Sequence, residues 1–252
     1  MTFKKVTVVA ALLAVVCAPA PAAQAPQLYL MTESSPPVSM LEDGRVTGSG
    51  TEKVVQIMAR SGIGYVLDLL PWRRAYMLVQ QRADACLFST TRTPEREKLF
   101  KWVGPIDRSE WVLLGRADRH YTLRTLEDAR KLRIGTYNGD VRDEYLRARG
   151  FRVDPAPDDM VNLRKLMLDR IDLWATGQRR ANLLRASGGW GQQIVPVLSF
   201  NRVGVYLACN PAVPTELIDK MNAALDAMGR DGSVKRIERK YEKWVEQPPP
   251  QS

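Results

Sequence analysis

Apolar and polar positions recur along this chain in two periods, and each change of period marks an element boundary. Positions 27–31 read as a strand, 32–37 as a polar turn closed by two prolines, and 41–50 as a hairpin-like excursion with glycines at its bends. Over 51–61 the period becomes helical, with Val54, Val55 and Met58 as the inner stripe and Gly62 as the stop. A strand at 64–70, a helix opened by Pro71-Trp72 and running to Gln81, and a strand at 84–88 complete a β-α-β-α-β unit. That alternation builds a parallel sheet covered by helices.

A second unit follows. It reads as a strand at 110–115, a short helix at 121–131, a strand at 132–137 and a helix at 141–149 capped by Asp140. A helix at 160–168 capped by Asp159 and a strand at 171–175 complete it. The run 194–208 then returns toward the first unit, and helices open at Pro214 and Ser233. Leu217, Ile218, Met221, Ala224, Leu225 and Met228 mark one buried face of the first of these helices. The tail at 247–252 is too polar and proline-rich to pack.

The amino terminus changes the picture. Lys4 and Lys5, an apolar run at 6–16 and Ala/Pro-rich sequence ending near Ala22 read as a cleavable secretory signal over 1–22, too short for a stable span. Val16 stands before Cys17 where lipidation needs a small residue, so the expectation is a soluble exported protein. About 230 residues remain, enough for one large domain or two modest ones. The net charge of +9 falls to about +7 without the two leader lysines. Its Lys and Arg are scattered and carry no aromatic-basic motif, which argues against nucleic acid and for solubility with a bias toward anionic ligands. Export permits disulfides, but Cys86 and Cys209 sit in strand-like runs where buried free thiols are the commoner outcome. Two free thiols are the expectation, with a bridge as the alternative.

The candidate chemistry starts where the strand at 84–88 opens onto Ser89-Thr90-Thr91-Arg92-Thr93. Ligands bind at such carboxyl ends of strands in open α/β sheets. Thr93 suits the cap of a short helix, Pro94 its first position and Glu95 its dipole. Arg96 lies one turn on, with a guanidinium suited to bidentate grip of a carboxylate. The alternative for Arg96 is a surface arginine paired with Glu95 or Glu97.

Ser89, Thr91, Thr93-Pro94-Glu95-Arg96, Phe100 and Trp102-Val103-Gly104-Pro105 together resemble the polar-amino-acid family of bacterial extracellular solute-binding proteins. The resemblance runs from about 28 to 244. It implies an α/β periplasmic-binding-protein type II fold with two lobes, each a helix-covered, mainly parallel sheet, and a hinge between them. Lobe 1 is expected over 23–108 and 206–246 and lobe 2 over 109–205. In that family the Ser/Thr-rich segment and the arginine hold the ligand's carboxylate, which here assigns Ser89, Thr91 and Arg96. Thr32 and Glu33 follow the first strand on the same face, and Trp72 stands at the ligand-covering position or is buried under its helix. From the second lobe Asn138 and Asp140 occupy the loop that usually carries Gly-Thr-Thr; Asp140 either caps the helix or faces the cleft. Gly177, next to Thr176, stands where α-amino-acid binders carry an aspartate for the ligand's ammonium. Gly177 removes that counter-ion, so the ligand's amine is expected to be absent, masked or held by neutral groups, with Thr176, Gln178 or Asp140 as substitutes.

Catalytic motifs are missing from the sequence, which has a single histidine, His120, in a polar linker. The expectation is therefore a monomeric, non-enzymatic periplasmic protein that captures a small carboxylate-bearing solute, without cofactor or metal, and delivers it to an ABC transporter permease. A dehydratase-like exported enzyme, or a sensor or assembly module on the same scaffold, is the alternative.

Overall fold

The computed structural model describes residues 27–246; the leader at 1–22 with Cys17, and the tail at 247–252, lie outside the described residues. In chain order, β1 (Gln27–Thr32), β2 (Met40–Glu42), β3 (Arg45–Thr47), α1 (Ser49–Ser61), β4 (Gly64–Leu69), α2 (Trp72–Gln81) and β5 (Ala85–Thr91) make the first unit. β6 (Lys101–Arg116) leads out of it. β7 (Arg133–Tyr137), α3 (Val141–Ala148), β8 (Arg152–Ala156), α4 (Val161–Met167), β9 (Leu173–Gly177) and α5 (Gln178–Ala186) make the second. β10 (Ile194–Cys209) returns, and α6 (Thr215–Arg230) and α7 (Ser233–Glu246) close on the first unit.

The main sheet has the order β4-β1-β5-β10-β6-β9-β7-β8. Its outer pairs, β1 with β4 and β5, and β7 with β8 and β9, are parallel. The 16-residue strands β6 and β10 cross the middle antiparallel to each other, with breaks in register that include one between Val205 and Leu207. Such breaks bend and twist a ladder locally. Separate cores lie on either side. Leu30, Ile57, Met58, Phe88 and Met221 belong to the first, Val112, Trp174 and Ile194 to the second, all at 1 % exposure or less. The architecture is thus the two-lobed α/β fold that the sequence implies.

Local periodicity explains the helices well. α1 buries Val54, Ile57 and Met58, the i, i+3, i+4 set that a 3.6-residue turn demands, and leaves Val55 at the margin. In α6, Leu217, Ile218, Met221, Ala224 and Met228 are buried together. Each large side chain there contributes about 1.5–3 kcal/mol by leaving water.

Four expectations are corrected. Cys86 and Cys209 form a disulfide, because β5 and β10 are antiparallel neighbours with these two residues directly opposite each other. The stretch 121–131 holds only a 3-10 turn, Leu126–Ala129, stabilised by a capping box between Thr125 and Asp128. After Thr93 there is only a 3-10 turn, Glu97–Leu99. α4 is preceded by Met160 rather than capped by Asp159, whose carboxylate is used elsewhere. β8 and α5 carry little apolar pattern and are visible only in the structure: β8 contains Pro155 and α5 buries Ala181 alone.

Candidate functional site

Ser89-Thr90-Thr91 forms the end of β5 itself, since Thr90 and Thr91 pair with Tyr206 and Val205 of β10. Within that strand Ser89 has φ +61°, the left-handed region that a residue with a Cβ seldom enters. Strain of this kind costs on the order of 1–3 kcal/mol and concentrates at ligand sites. Its hydroxyl is buried and has no hydrogen-bond partner among the described residues.

Arg96 is 1 % exposed. Tyr76 lies under its guanidinium at 4.8 Å and Trp72 at 6.0 Å, from positions four apart on one face of α2. Its Nε and Nη2 donate to the Glu144 carboxylate of α3 at 3.0–3.3 Å, while Nη1 is buried without an acceptor. The surface pairing with Glu95 or Glu97 is not formed; Glu97 is held by Arg92. Buried polar groups are nearly always satisfied, so these two polar atoms, from residues lining one cleft, call for a partner that the described residues do not supply.

That wall borders an inner cleft of about 340 Å³, lined by Ser89, Thr91 and Arg96 from the first lobe and Asp140, Arg142 and Gly177 from the second. An outer chamber of about 830 Å³ lies beside it, with Leu69, Leu70, Pro71, Met160, Leu183 and Leu184 on its apolar side. Glu33, Trp72, Tyr137 and Arg180 line both and form the neck between them. Two hydrogen bonds close the lobes on each other there. Trp72 Nε1 donates to Gly139 O at 2.8 Å, and Tyr137 Oη donates to Glu33 Oε1 at 3.1 Å. At the crossing strands Arg179 of α5 adds a bidentate pair with Asp107 of β6.

The electrostatics of the neck are set by burial. Glu33 is pushed up to about 7, by loss of water first and by neighbouring Asp140 and Asp159, against the pull of Arg180 and the Tyr137 hydrogen bond. It forms no ion pair with any described residue, because Arg180 is engaged by Asp159 at 3.0 Å. Burial and the Glu33 charge hold Tyr137 well above the usual tyrosine range. Burial also raises Asp140, although Arg142 Nε donates to it at 2.7 Å. Arg142 in turn stays above its ordinary value: burial opposes its charge, but Asp140, Asp159 and Tyr137 more than compensate.

Of the residues singled out from the sequence, Arg96, Ser89, Thr91, Trp72, Glu33, Asp140 and Gly177 converge on the inner cleft. Asn138 lies on the outer chamber instead. Thr32 and Thr176 turn into the protein: Thr32 bonds Ser39, and Thr176 donates to Asp159. Asp140 heads α3 without a side-chain cap bond and pairs with Arg142. Gln178 bonds Asn182 on its own helix. Trp72 is packed among apolar neighbours and also lines the cleft. Sequence reasoning missed Arg142, Tyr137, Tyr76 and Glu144. Arg142 did leave a trace, since a cation in a helix's first turn opposes the dipole and so calls for another partner.

The chain matches the model for bacterial extracellular solute-binding proteins, family 3, over residues 29–244. It belongs to that family. This family 3 protein is 25% identical over 211 residues to the L-cystine-binding protein TcyJ of Escherichia coli (strain K12), covering 82% of this chain and 78% of TcyJ. Solved structures share its fold. A mutant of ArgBP from T. maritima superposes with a TM-score of 0.75 at 16% identity, covering 86% of this chain and 96% of that one. A histidine kinase sensor domain with similarity to periplasmic binding proteins superposes at 0.78 and 17%, with the same coverage of each. Among the described residues, no helix is long and apolar enough to cross a membrane and no cluster of His, Cys, Asp or Glu is arranged to hold a metal.

Proposed function

We propose that this solute-binding protein captures a small carboxylate-bearing, amino-acid-like solute between its lobes and hands it to an ABC importer. The observation that carries the reading is the pair of buried, unpartnered donors, Arg96 Nη1 and Ser89 Oγ, on the cleft wall. An acidic group of the solute meets them there. A charge-assisted bond to a buried guanidinium is worth roughly twice a neutral one. Arg142 supplies a second guanidinium from the opposite lobe.

Glu33 changes the expectation for the other end of the solute. It is the inner-cleft carboxylate without an ion pair among the described residues; Tyr137 donates to it and Trp72 lines the same neck. An ammonium or guanidinium group fits there, pairing with Glu33 and facing aromatic rings. Glu33 thus stands in for the aspartate that Gly177 lacks. The apolar side of the outer chamber admits a solute body longer than the inner cleft alone accepts. The ligands in the names of TcyJ and ArgBP are consistent with such a molecule.

Residues 1–22 act as the cleaved export signal in this reading, and the protein works in the periplasm as a monomer. In the same reading the lobe boundaries fall at 108/109 and 205/206 and closure bends the molecule there; the β10 ladder slips register between Val205 and Leu207, beside the second of them. Native mass spectrometry of protein purified from the periplasm, followed by denaturing release, tests the proposal. A small solute bearing a carboxylate and a basic nitrogen is expected. A released solute without an acidic group contradicts it.

A further inference from the structure

Arg96 is already met by a carboxylate, and that carboxylate belongs to the chain itself. Glu144 projects from the first turn of α3 in the second lobe and takes the Nε and Nη2 of Arg96 at 3.3 and 3.0 Å. These are two of the donors that a solute's acid group would use in a forked grip. The pair is lopsided: the Arg96 side chain is 2 % exposed and the Glu144 side chain 48 %. Arg96 is fixed by Tyr76 beneath it, whereas Glu144 reaches in from the rim. Asp143, its neighbour, is tied within its own lobe to Thr136 and Arg147, so the interlobe reach is particular to Glu144.

We infer that Glu144 is a specificity-determining residue of the cleft: an internal carboxylate that latches the empty protein shut on Arg96 and must be displaced by an incoming acid. This rests on the carboxylate reading of Arg96 for its second half only. Burying an arginine with no counter-ion is expensive, so the closed, solute-free state needs Glu144 or an equivalent. The same contact taxes every acid that widens its hold from the free Nη1 to a forked grip, because that grip requires giving the internal pair up. Weak acids that cannot repay the exchange are rejected, and a solute with a second anchor, such as a basic group at Glu33, is favoured. Such a latch also gives the closed form a population before any solute arrives.

The test separates the two halves. Protein freed of solute by unfolding and refolding is examined by small-angle X-ray scattering as wild type, as Glu144→Ala and as Glu127→Ala. The last removes a more exposed carboxylate whose partner, Arg130, lies in its own lobe. Charge-assisted hydrogen bonds support roughly a tenfold change in the closed-to-open ratio. Glu144→Ala should therefore have the larger radius of gyration, and Glu127→Ala should match wild type. Equal radii for wild type and Glu144→Ala overturn the latch. Acetate, the smallest carboxylate probe, is then titrated by tryptophan fluorescence, and roughly tenfold tighter binding is expected in Glu144→Ala. Equal acetate affinity in the two proteins overturns the competition. No acetate response in either, with the radii still different, keeps the latch and sinks the carboxylate reading of Arg96.

Discussion

Glu33→Gln isolates one proton at the neck of the cleft. A glutamate in an unfolded chain titrates near 4.5, and in the folded protein burial pushes Glu33 up to about 7. Between those values the folded state binds more protons than the unfolded one, so stability falls as pH rises. The contribution is fully present below 4.5 and is lost as pH climbs through about 7. Each tenfold change in proton affinity corresponds to about 1.36 kcal/mol, which sets an upper limit of roughly 3 kcal/mol for the difference between the two values. Water reaches the partly exposed side chain, so about 1–2 kcal/mol is expected to be measured. The assay is urea unfolding followed by tryptophan fluorescence from pH 4.5 to 8 at constant ionic strength. Glutamine keeps the size of the side chain and removes its titration. Glutamine also removes the repulsion between Glu33 and Asp140, so the difference between the profiles reports the Glu33 charge together with that coupling. Wild type should lose at least about 1 kcal/mol relative to Glu33→Gln across that range. Parallel profiles would refute the placement of an unpaired, largely dehydrated carboxylate beside Tyr137 at the neck.

Other expectations follow from single contacts. Reducing Cys86–Cys209, which closes a sequence separation of 123 residues, should cost about 2–5 kcal/mol, read as a lower unfolding midpoint with reductant and no further change in a Cys86→Ala/Cys209→Ala variant. Asp159→Ala strands the Trp174 indole N–H, the Thr176 hydroxyl and Arg180 at once. A loss of about 3–5 kcal/mol is expected in chemical denaturation, and an effect below about 1 kcal/mol would show that water satisfies the site. Gly177→Asp should not confer binding of plain α-amino acids in calorimetry. A Cβ at 177 lies 3.8 Å from Arg142 Nη1, so the new carboxylate pairs with that arginine.

The two units are legible from local periodicity, and Glu33, Trp72, Ser89, Thr91, Arg96, Asp140 and Gly177, which line the inner cleft, are legible through the family resemblance. What was not legible is set by contacts between distant segments. Asp159 looks like a helix cap in sequence, but its burial beside Trp174 gives it three partners that satisfy it better than a helix end would. Glu144 reads as an acidic first-turn residue complementing a dipole, and only lobe closure brings it to Arg96, 48 positions away. The cysteines read as core thiols until the antiparallel pairing of β5 with β10 sets them opposite each other. Thr32 and Thr176 are adjacent in sequence to residues that face the cleft, and strand alternation turns them away. α5 was missed because a helix that buries one alanine leaves almost no apolar stripe to read.

The central claim is that Arg96 anchors an acidic group of the solute between the lobes. Calorimetric titration of the solute recovered from the native protein, into wild type, Arg96→Ala and Arg96→Lys, tests it most directly. Loss of one partner of a buried charge pair costs roughly 3–5 kcal/mol, which is about two to three and a half orders of magnitude in Kd. Arg96→Ala should show that loss and Arg96→Lys should recover only part of it, because lysine cannot form the fork. Binding by Arg96→Ala within a factor of a few of wild type would contradict the account.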